Sequence, residues 1–438
     1  MAVRRRLPGA LPTGGRFFGG GPETHSGKPH RGDRSSRTGW RHRGRGGSAR
    51  MSGPGRLTVI ETHPVQYRAP LYRRLQQRHG IPVTVLYGSR RGVAAARDPG
   101  FGVPVRWDTD LLSGYDACFL SGAGRLRLGR TLARIGPAAV LLTGYASPVL
   151  QAGFFAASRL KIPILFRAET TDVGRAGDRL RGWSRDWALR QLYRRCAAFL
   201  YIGDRSREHY RRLGCPEERL VFSPYGVDGV PFESDERARE RLRERTRAAL
   251  KIPADGWALL FSGKLIPEKE PGLILRACRR LSDPLRRRVV LIWMGDGRLR
   301  TSLEADSAGA PAVESRFLGF KNQKEMSPVY HAADGLVLPS RRETWGLVVN
   351  EALQHGLPCA VSDGVGCAPD LVIPGRTGEI FPAGSADGLA AALTRLGSFR
   401  EEAAARAVRR GTVEGYSLER AAEGIAEAVR RFSGSGAR

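Results

Sequence analysis

The chain has 438 residues and a formal charge of +29, from 72 Lys and Arg against 43 Asp and Glu. Its length suffices for two domains with full cores. Six scattered cysteines without C-x-x-C speak against a disulfide frame or a zinc site and for reduced thiols. Seven of the basic residues are lysines (28, 161, 251, 264, 269, 321 and 324), which leaves 65 arginines. That excess reads as compositional drift toward arginine as much as a nucleic-acid surface, and it makes each lysine informative.

Residues 1–50 are rich in Gly, Arg, Ser and Pro and carry 12 basic and 2 acidic residues. They lack the aliphatic period of a folded segment and the apolar core of a signal peptide. They read as a disordered basic tail for nucleic acid or anionic lipid, or as residues ahead of a true start at Met51.

From 51 to 228 strands and helices alternate. The first strand is Leu57 to Glu61, followed by T-H-P-V-Q-Y and a helix from about Ala69 to Arg78. Further strands are expected at Pro82 to Tyr87, Ala117 to Leu120, Ala138 to Leu142, Ile162 to Phe166 and Ala197 to Ile202. A very basic helix follows over Arg205 to Leu213. Ala138 to Ala157 is the most membrane-like run, but Thr143, Gly144, Ser147, Pro148 and Gln151 break it, so no transmembrane helix is predicted. Residues 229–255 form a connector with a helix over Asp235 to Leu250, capped by Ser234.

The alternation restarts over 256–412. Strands are expected at Ala258 to Gly263, Val289 to Met294, Ser315 to Gly319, Gly335 to Leu338 and Cys359 to Ser362. A last amphipathic helix, Ser417 to Arg431 within 413–432, can pack back on the first domain. The fold class is therefore α/β, two Rossmann-like parallel-sheet domains facing a cleft, where ligands commonly bind.

Chemistry concentrates in the second half. Pro339 to Glu351 reads as strand end, loop and helix, with Glu343 in the loop and Glu351 about two turns into the helix. The first-turn amides near Thr344 to Leu347 would face whatever lies beyond the strand end, suited to hydroxyls or phosphate. Lys264 and Lys269 stand five apart after another strand, as compact charges for phosphate oxygens or as solvated surface lysines. G-D-G at 295–297 and S-D-G-V-G at 362–366 are glycine turns at strand ends. No G-x-G-x-x-G follows the first strand of either half and no Walker A motif occurs, which disfavours a nicotinamide enzyme and a P-loop NTPase.

G-K-L-I-P-E-K-E-P, M-G-D-G, V-L-P-S and E-T-W-G-L-V-V-N-E-A occur in that order. Together they resemble the C-terminal half of the retaining group-1 glycosyltransferases of the GT-B fold, family-4-like. The resemblance is specific over about 256–390 and architectural over about 56–432. It implies that Lys264 and Lys269 neutralise a donor diphosphate, Lys264 standing where relatives usually carry Arg. It implies that Glu343 lies by the donor sugar and that Gly263, Gly295 and the backbone of Thr344, Trp345, Gly346 and Leu347 line the donor site. Glu351 would accept the ribose hydroxyls, and Phe320 and Lys321 lie where the base is usually held. No metal and no cofactor are expected, the nucleoside diphosphate sugar being a substrate.

The first half departs from the pattern. Thr62 to Tyr67 replaces the glycine pair many relatives carry, but resembles the H-P-x-Q-Y start of one branch. His63 reads as a catalytic contact or a structural hydrogen-bonder. Arg167-Ala168-Glu169-Thr170 stands where many relatives have a histidine, and Glu169 is the candidate to face the cleft instead.

The expected partners are a nucleotide-sugar donor and a hydroxyl acceptor, free or lipid-linked. The arginines at 73, 74, 194, 195, 205, 207, 211 and 212 read as solvated faces or as a face held against an anionic membrane. The expected location is the cytoplasm, free or at the inner face of the membrane, and the expected role glycan, cell-envelope or glycolipid biosynthesis. A sugar-nucleotide epimerase or hydrolase on the same fold, and a basic nucleic-acid-binding protein, are the alternatives. No specific nucleic-acid partner is expected, since aromatics are not interleaved with the basic residues.

Overall fold

The computed structural model describes residues 55–93, 96–98, 100–105, 107–122, 127–172, 179–227, 233–309, 313–399 and 402–433. The reading of residues 1–50 lies outside them. The first half contributes strands β1 (Leu57–Glu61), β2 (Val83–Tyr87), β3 (Ala96–Arg97), β4 (Pro104–Val105), β5 (Asp116–Phe119), β6 (Ala139–Leu142), β7 (Ile164–Phe166), β8 (Ala198–Tyr201) and β9 (Leu220–Phe222). Its helices are α1 (Ala69–His79), α2 (Leu128–Ile135), α3 (Pro148–Arg159), α4 (Arg179–Tyr193) and α5 (Asp204–Arg212). The connecting helix is α6 (Glu236–Ala249).

The second half holds β10 (Trp257–Ser262), β11 (Val289–Met294), β12 (Glu314–Gly319), β13 (Gly335–Leu338), β14 (Cys359–Ser362) and β15 (Gly378–Phe381). Its helices are α7 (Gly272–Cys278), α8 (Asp283–Arg286), α9 (Arg300–Ala308), α10 (Gln323–Ala332), α11 (Leu347–Gln354), α12 (Ala368–Leu371), α13 (Ala386–Leu396), α14 (Ala403–Glu414) and α15 (Leu418–Phe432).

Two parallel sheets result, a seven-stranded one ordered β5-β2-β1-β6-β7-β8-β9 and a six-stranded one ordered β12-β11-β10-β13-β14-β15. Central strands such as β1 and β10 are buried along their whole length because helices cover both faces. One face of the first sheet packs on α1 and α15, the other on α2 to α5. The second sheet lies between α10 to α12 and α7, α9 and α13. Helix α15 therefore returns to the first sheet, and Ser223 Oγ donates to the Ala421 carbonyl at 2.9 Å.

Two local expectations are corrected. Asp235, not Ser234, caps α6, its carboxylate accepting from the Ala238 amide at 2.7 Å. A carboxylate suits the positive helix end. Glu351 lies about one turn into α11 rather than two, because Gly346 takes a left-handed φ of 102° and holds the helix start to Leu347.

Candidate active site

In both sheets the strand order reverses beside the first strand of the half, between β1 and β6 and between β10 and β13. At such a point the loops leave in opposite directions and a crevice opens beyond the strands' carboxyl ends. One crevice carries the His63 loop. The other carries the Lys264–Lys269 loop and the Glu343 loop. They line one cavity of ≈ 520 Å³ that includes His63, Glu169, Gly263, Lys264, Lys269, Glu343 and the run Thr344 to Leu347.

The Glu343 backbone is clamped by the glycine turn after β14. The Glu343 N–H donates to the Gly364 carbonyl, and the Gly366 N–H donates to the Glu343 carbonyl, both at 3.0 Å. The Lys269 ammonium donates to the Glu343 carboxylate. Lys264 reaches the other way, donating to Asp98 at 2.8 Å and lying 4.9 Å from the Phe101 ring centre. Asp98 also accepts the N–H groups of Gly100 and Phe101 at 2.8 and 3.1 Å. Burial works to raise this carboxyl, but the Lys264 bond and the two amides outweigh it and hold it well below the usual carboxylate range.

On the opposite wall Glu169 accepts from the Tyr225 hydroxyl at 2.8 Å and from the Thr344 hydroxyl at 2.7 Å. The second bond ties the first half to the second. The Arg68 guanidinium lies 3.5 Å from Glu169 and donates to the buried Glu61 at 2.6 Å. His63 Nδ1 is 2.9 Å from the Thr62 hydroxyl. Burial, then the charge of Arg91, pushes its pKa below the ordinary value, so the ring is neutral at pH 7. Trp345 contributes its backbone, since its indole is buried and donates to Asn350 at 2.9 Å.

A second cavity of ≈ 180 Å³ adjoins, lined by Gly263, Gly295, Phe320, Lys321 and Glu351. Gly295 is at φ 144°, and a Cβ there would fall 1.8 Å from the Gly263 carbonyl oxygen. Glycine is therefore what lets the ends of β10 and β11 approach each other. The Lys321 ammonium lies 3.0 Å from Glu325. Glu351 accepts from the Tyr330 hydroxyl at 2.6 Å, and burial raises its pKa to about 7.

Every residue that the sequence put forward for catalysis or donor binding lines one of these two adjoining cavities, whereas the glycine turn at 362–366 and the basic-face arginines line neither. Sequence reasoning missed Asp98, Phe101 and Trp107, from the segment around the β3–β4 hairpin, and the pair Arg68 and Tyr225. Phe101 and Trp107 stand edge-on to Phe320, centroids 5.0 and 5.7 Å away. That segment has no apolar period to mark it. Arg68 directly follows the T-H-P-V-Q-Y run and was the findable one.

The basic faces also resolve. Arg205 donates to the carbonyls of Val365 and Asp363 at 2.8 Å, Arg211 to Glu217 at 2.6 Å and Arg212 to Asp172 at 2.7 Å. Arg207 also bonds Glu217, and Arg73 donates to the Asp110 carbonyl at 2.9 Å. Each of these arginines thus has a partner within the fold, although Arg211 and Arg212 are exposed, as are Arg194 and Arg195. Among the described residues no cluster of His, Cys, Asp or Glu is fit to hold a metal, and no helix is long and apolar enough to cross a membrane.

The family described as Glycosyl transferases group 1 matches residues 243–412, and the Glycosyl transferase 4-like domain matches residues 64–226. The chain belongs to the group-1 glycosyltransferase family. Within that family it is similar to a D-inositol 3-phosphate glycosyltransferase of Saccharomonospora viridis, 32% identical over 263 residues, covering 56% of this chain and 59% of that protein. A protein of the same name from Corynebacterium aurimucosum is 34% identical over 196 residues, covering 43% and 45%. The chain thus spans about half the length of the curated relatives it matches.

Among solved structures, Anabaena Alr3699/HepE in complex with UDP superposes with a TM-score of 0.66 at 14% identity, covering 86% of this chain and all of that one, 100%. WaaG, a glycosyltransferase involved in lipopolysaccharide biosynthesis, gives 0.58 at 16%, covering 85% and 99%. At these identities the likeness is one of fold, and the fold is GT-B: two Rossmann-like parallel-sheet domains.

Proposed function

We propose that this group-1 family member transfers a sugar from a nucleoside diphosphate sugar to an acceptor hydroxyl, with retention at the anomeric carbon. The observation that carries the reading is the convergence of Lys264, Lys269 and Glu343 at the carboxyl edge of the second sheet, beside the cavity that holds Glu351 and opposite His63 and Glu169. The base would lie against Phe320 and Lys321, and the ribose hydroxyls would donate to Glu351.

A leaving diphosphate gains negative charge as its bond to the sugar breaks. Two lysines and the first-turn amides of α11 would stabilise that charge as it grows. In water-poor surroundings such preorganised groups act more strongly than they would in water. The departing phosphate, on the same face as the incoming hydroxyl, takes its proton. Glu343 positions the sugar and balances developing positive charge. Glu169, oriented by Tyr225 and Thr344, and neutral His63 align the acceptor. No metal is needed in this scheme, because the lysines supply the charge. The names of the solved neighbours and relatives make UDP-sugars the first donors to try and D-inositol 3-phosphate the first acceptor, with hydroxyls of cell-envelope glycans or glycolipids next.

The test is thermal stability against UDP, GDP, ADP, CMP and their sugar conjugates, then product analysis with the donor that binds. A ligand at about a hundred times its Kd adds roughly 2.7 kcal/mol. One nucleotide is expected to raise the midpoint, and Lys269→Ala to abolish the rise. The anomeric configuration of the glycosylated product then reports retention. A donor that is only hydrolysed or epimerised sinks the transferase reading, and nucleotide-independent, salt-sensitive RNA or DNA binding alone replaces it.

A further inference from the structure

Six large apolar side chains stand out as exposed among the described residues, and four of them lie on or next to two helices. Phe155 on α3 is 68% exposed and Leu160 at its C-cap 38%, while Trp183 and Trp187 on α4 are 67% and 56% exposed. Helices α3 and α4 connect β6 to β7 and β7 to β8, neighbours in the sheet, so they lie side by side on its face. Between them runs a groove of ≈ 480 Å³ whose walls include Phe154, Phe155, Ala188, Leu192 and Arg195. Trp183 and Trp187 are one turn apart, on a stripe that continues to Arg190 and Arg194, and Phe155 is one turn from Arg159. All three arginines are exposed.

The charge of this face has one sign. Residues 148–163 and 179–195 contain eight basic residues and one acid, Asp186. Asp186 is buried and accepts from Arg212 of α5, so it does not offset the arginines outside. Exposed aromatics usually cost solubility and are kept where something covers them. A ring of arginines around indole and phenyl groups is the composition of a surface that sits at the headgroup level of an anionic bilayer.

We propose that the α3–α4 face docks on an anionic lipid bilayer, with Phe155, Trp183 and Trp187 entering the headgroup region and Arg159, Arg190, Arg194 and Arg195 contacting lipid phosphates. The membrane-facing arginines are then those of α3, α4 and the turn after it, rather than the paired ones of α5. Docking is independent of transfer chemistry and is read without any substrate. It would also bring the first sheet's crevice to a surface where a lipid-borne hydroxyl is presented.

Flotation of the full chain with vesicles tests it. One set is phosphatidylcholine, the other replaces about a third of it with phosphatidylglycerol. The chain is expected to float with the anionic set only. The triple variant Phe155→Ala, Trp183→Ala, Trp187→Ala is expected to lose partitioning by about tenfold or more, although residues 1–50 remain. Its thermal midpoint and its nucleotide response are expected to stay unchanged, since these side chains line neither donor cavity. Arg190→Gln, Arg194→Gln, Arg195→Gln should lose the preference for anionic vesicles. A chain that ignores both vesicle sets overturns the proposal. So does a triple variant that floats like the parent, which would assign binding to the tail. A parent that dimerises in ultracentrifugation through these residues without floating also overturns it, in favour of a second copy.

Discussion

Asp98 of the first half holds the ammonium of Lys264, at the end of β10 in the second half, at 2.8 Å. Its carboxylate thereby stands where the proposed donor would put a phosphate oxygen. The pair is partly solvated, at 17% and 33% side-chain exposure, so its own worth is small, about 1 kcal/mol or less. Asp98→Asn keeps the shape and removes the competing charge. Nucleoside diphosphate should then bind about three- to tenfold more tightly, with little change in thermal midpoint. Titration calorimetry measures this directly, and weaker binding would mean that Asp98 orients Lys264 for the donor instead of occupying it.

Lys269 and Glu343 form the other cross-loop pair, between the loops after β10 and β13. Lys269→Ala and Glu343→Ala are each expected to lower kcat by two to three orders of magnitude, on the scale of losing one preorganised stabilising group. Because each removes the other's partner, the double variant should cost much less than the sum. Near-parental kcat in either single variant, in a protein that melts normally, refutes the site assignment.

Glu351 predicts a pH dependence. Its carboxyl is raised from the ordinary 4.5 to about 7 by burial, with the Tyr330 hydrogen bond pulling the other way. A raised folded-state value means the native protein holds this proton more tightly than the unfolded chain. Its stabilising contribution is complete below pH 4.5 and lost as pH rises through 7. His331, lowered to about 3, and His355, lowered to about 4, both chiefly by burial, act in the opposite direction below 6.5. The clean comparison is therefore the midpoint of the parent minus that of Glu351→Gln, which should fall between pH 5 and 8. Ribose hydroxyls donate best to the ionised carboxylate. Nucleotide affinity of the parent should accordingly rise from pH 6 to 8, and that of Glu351→Gln should stay flat.

How far these residues were legible beforehand depended on whether their signal was local. The buried runs of β1, β10, β11 and β13 announce themselves, and the loops after β10 and β13 inherit their place from them. Lys264, Lys269, Glu343 and Glu351 could thus be found without coordinates. Asp98, Phe101 and Trp107 could not. Their segment has no period, and its importance arises only when the two sheets face each other. Strand β15 and helices α13 and α14 were also passed over. G-E-I-F is only four residues long, whereas Ala386–Leu396 carries an apolar stripe as marked as that of α1 and could have been found. The partners of the α5 arginines were only partly legible: Glu217 follows Arg211 by six residues, but Asp172 and Asp186 reach Arg212 from 40 and 26 residues away.

The return of α15 to the first sheet is testable through one glycine. Gly424 lies in the middle of that helix, and a Cβ there would fall 2.0 Å from the Phe222 carbonyl oxygen at the end of β9. Gly411, in neighbouring α14, would meet nothing within 4 Å. Both substitutions to alanine gain helix propensity, worth up to about 1 kcal/mol. At Gly411 that gain stands alone, so Gly411→Ala should raise the thermal midpoint slightly. At Gly424 the methyl must push α15 off β9, straining the Ser223–Ala421 hydrogen bond and the apolar face from Leu418 to Val429. Overpacking of this kind costs about 1–3 kcal/mol, so Gly424→Ala should lower the midpoint despite the better propensity. Scanning calorimetry of the two variants side by side decides it. If both rise together, α15 does not bear on the first sheet as closely as the 2.0 Å approach requires.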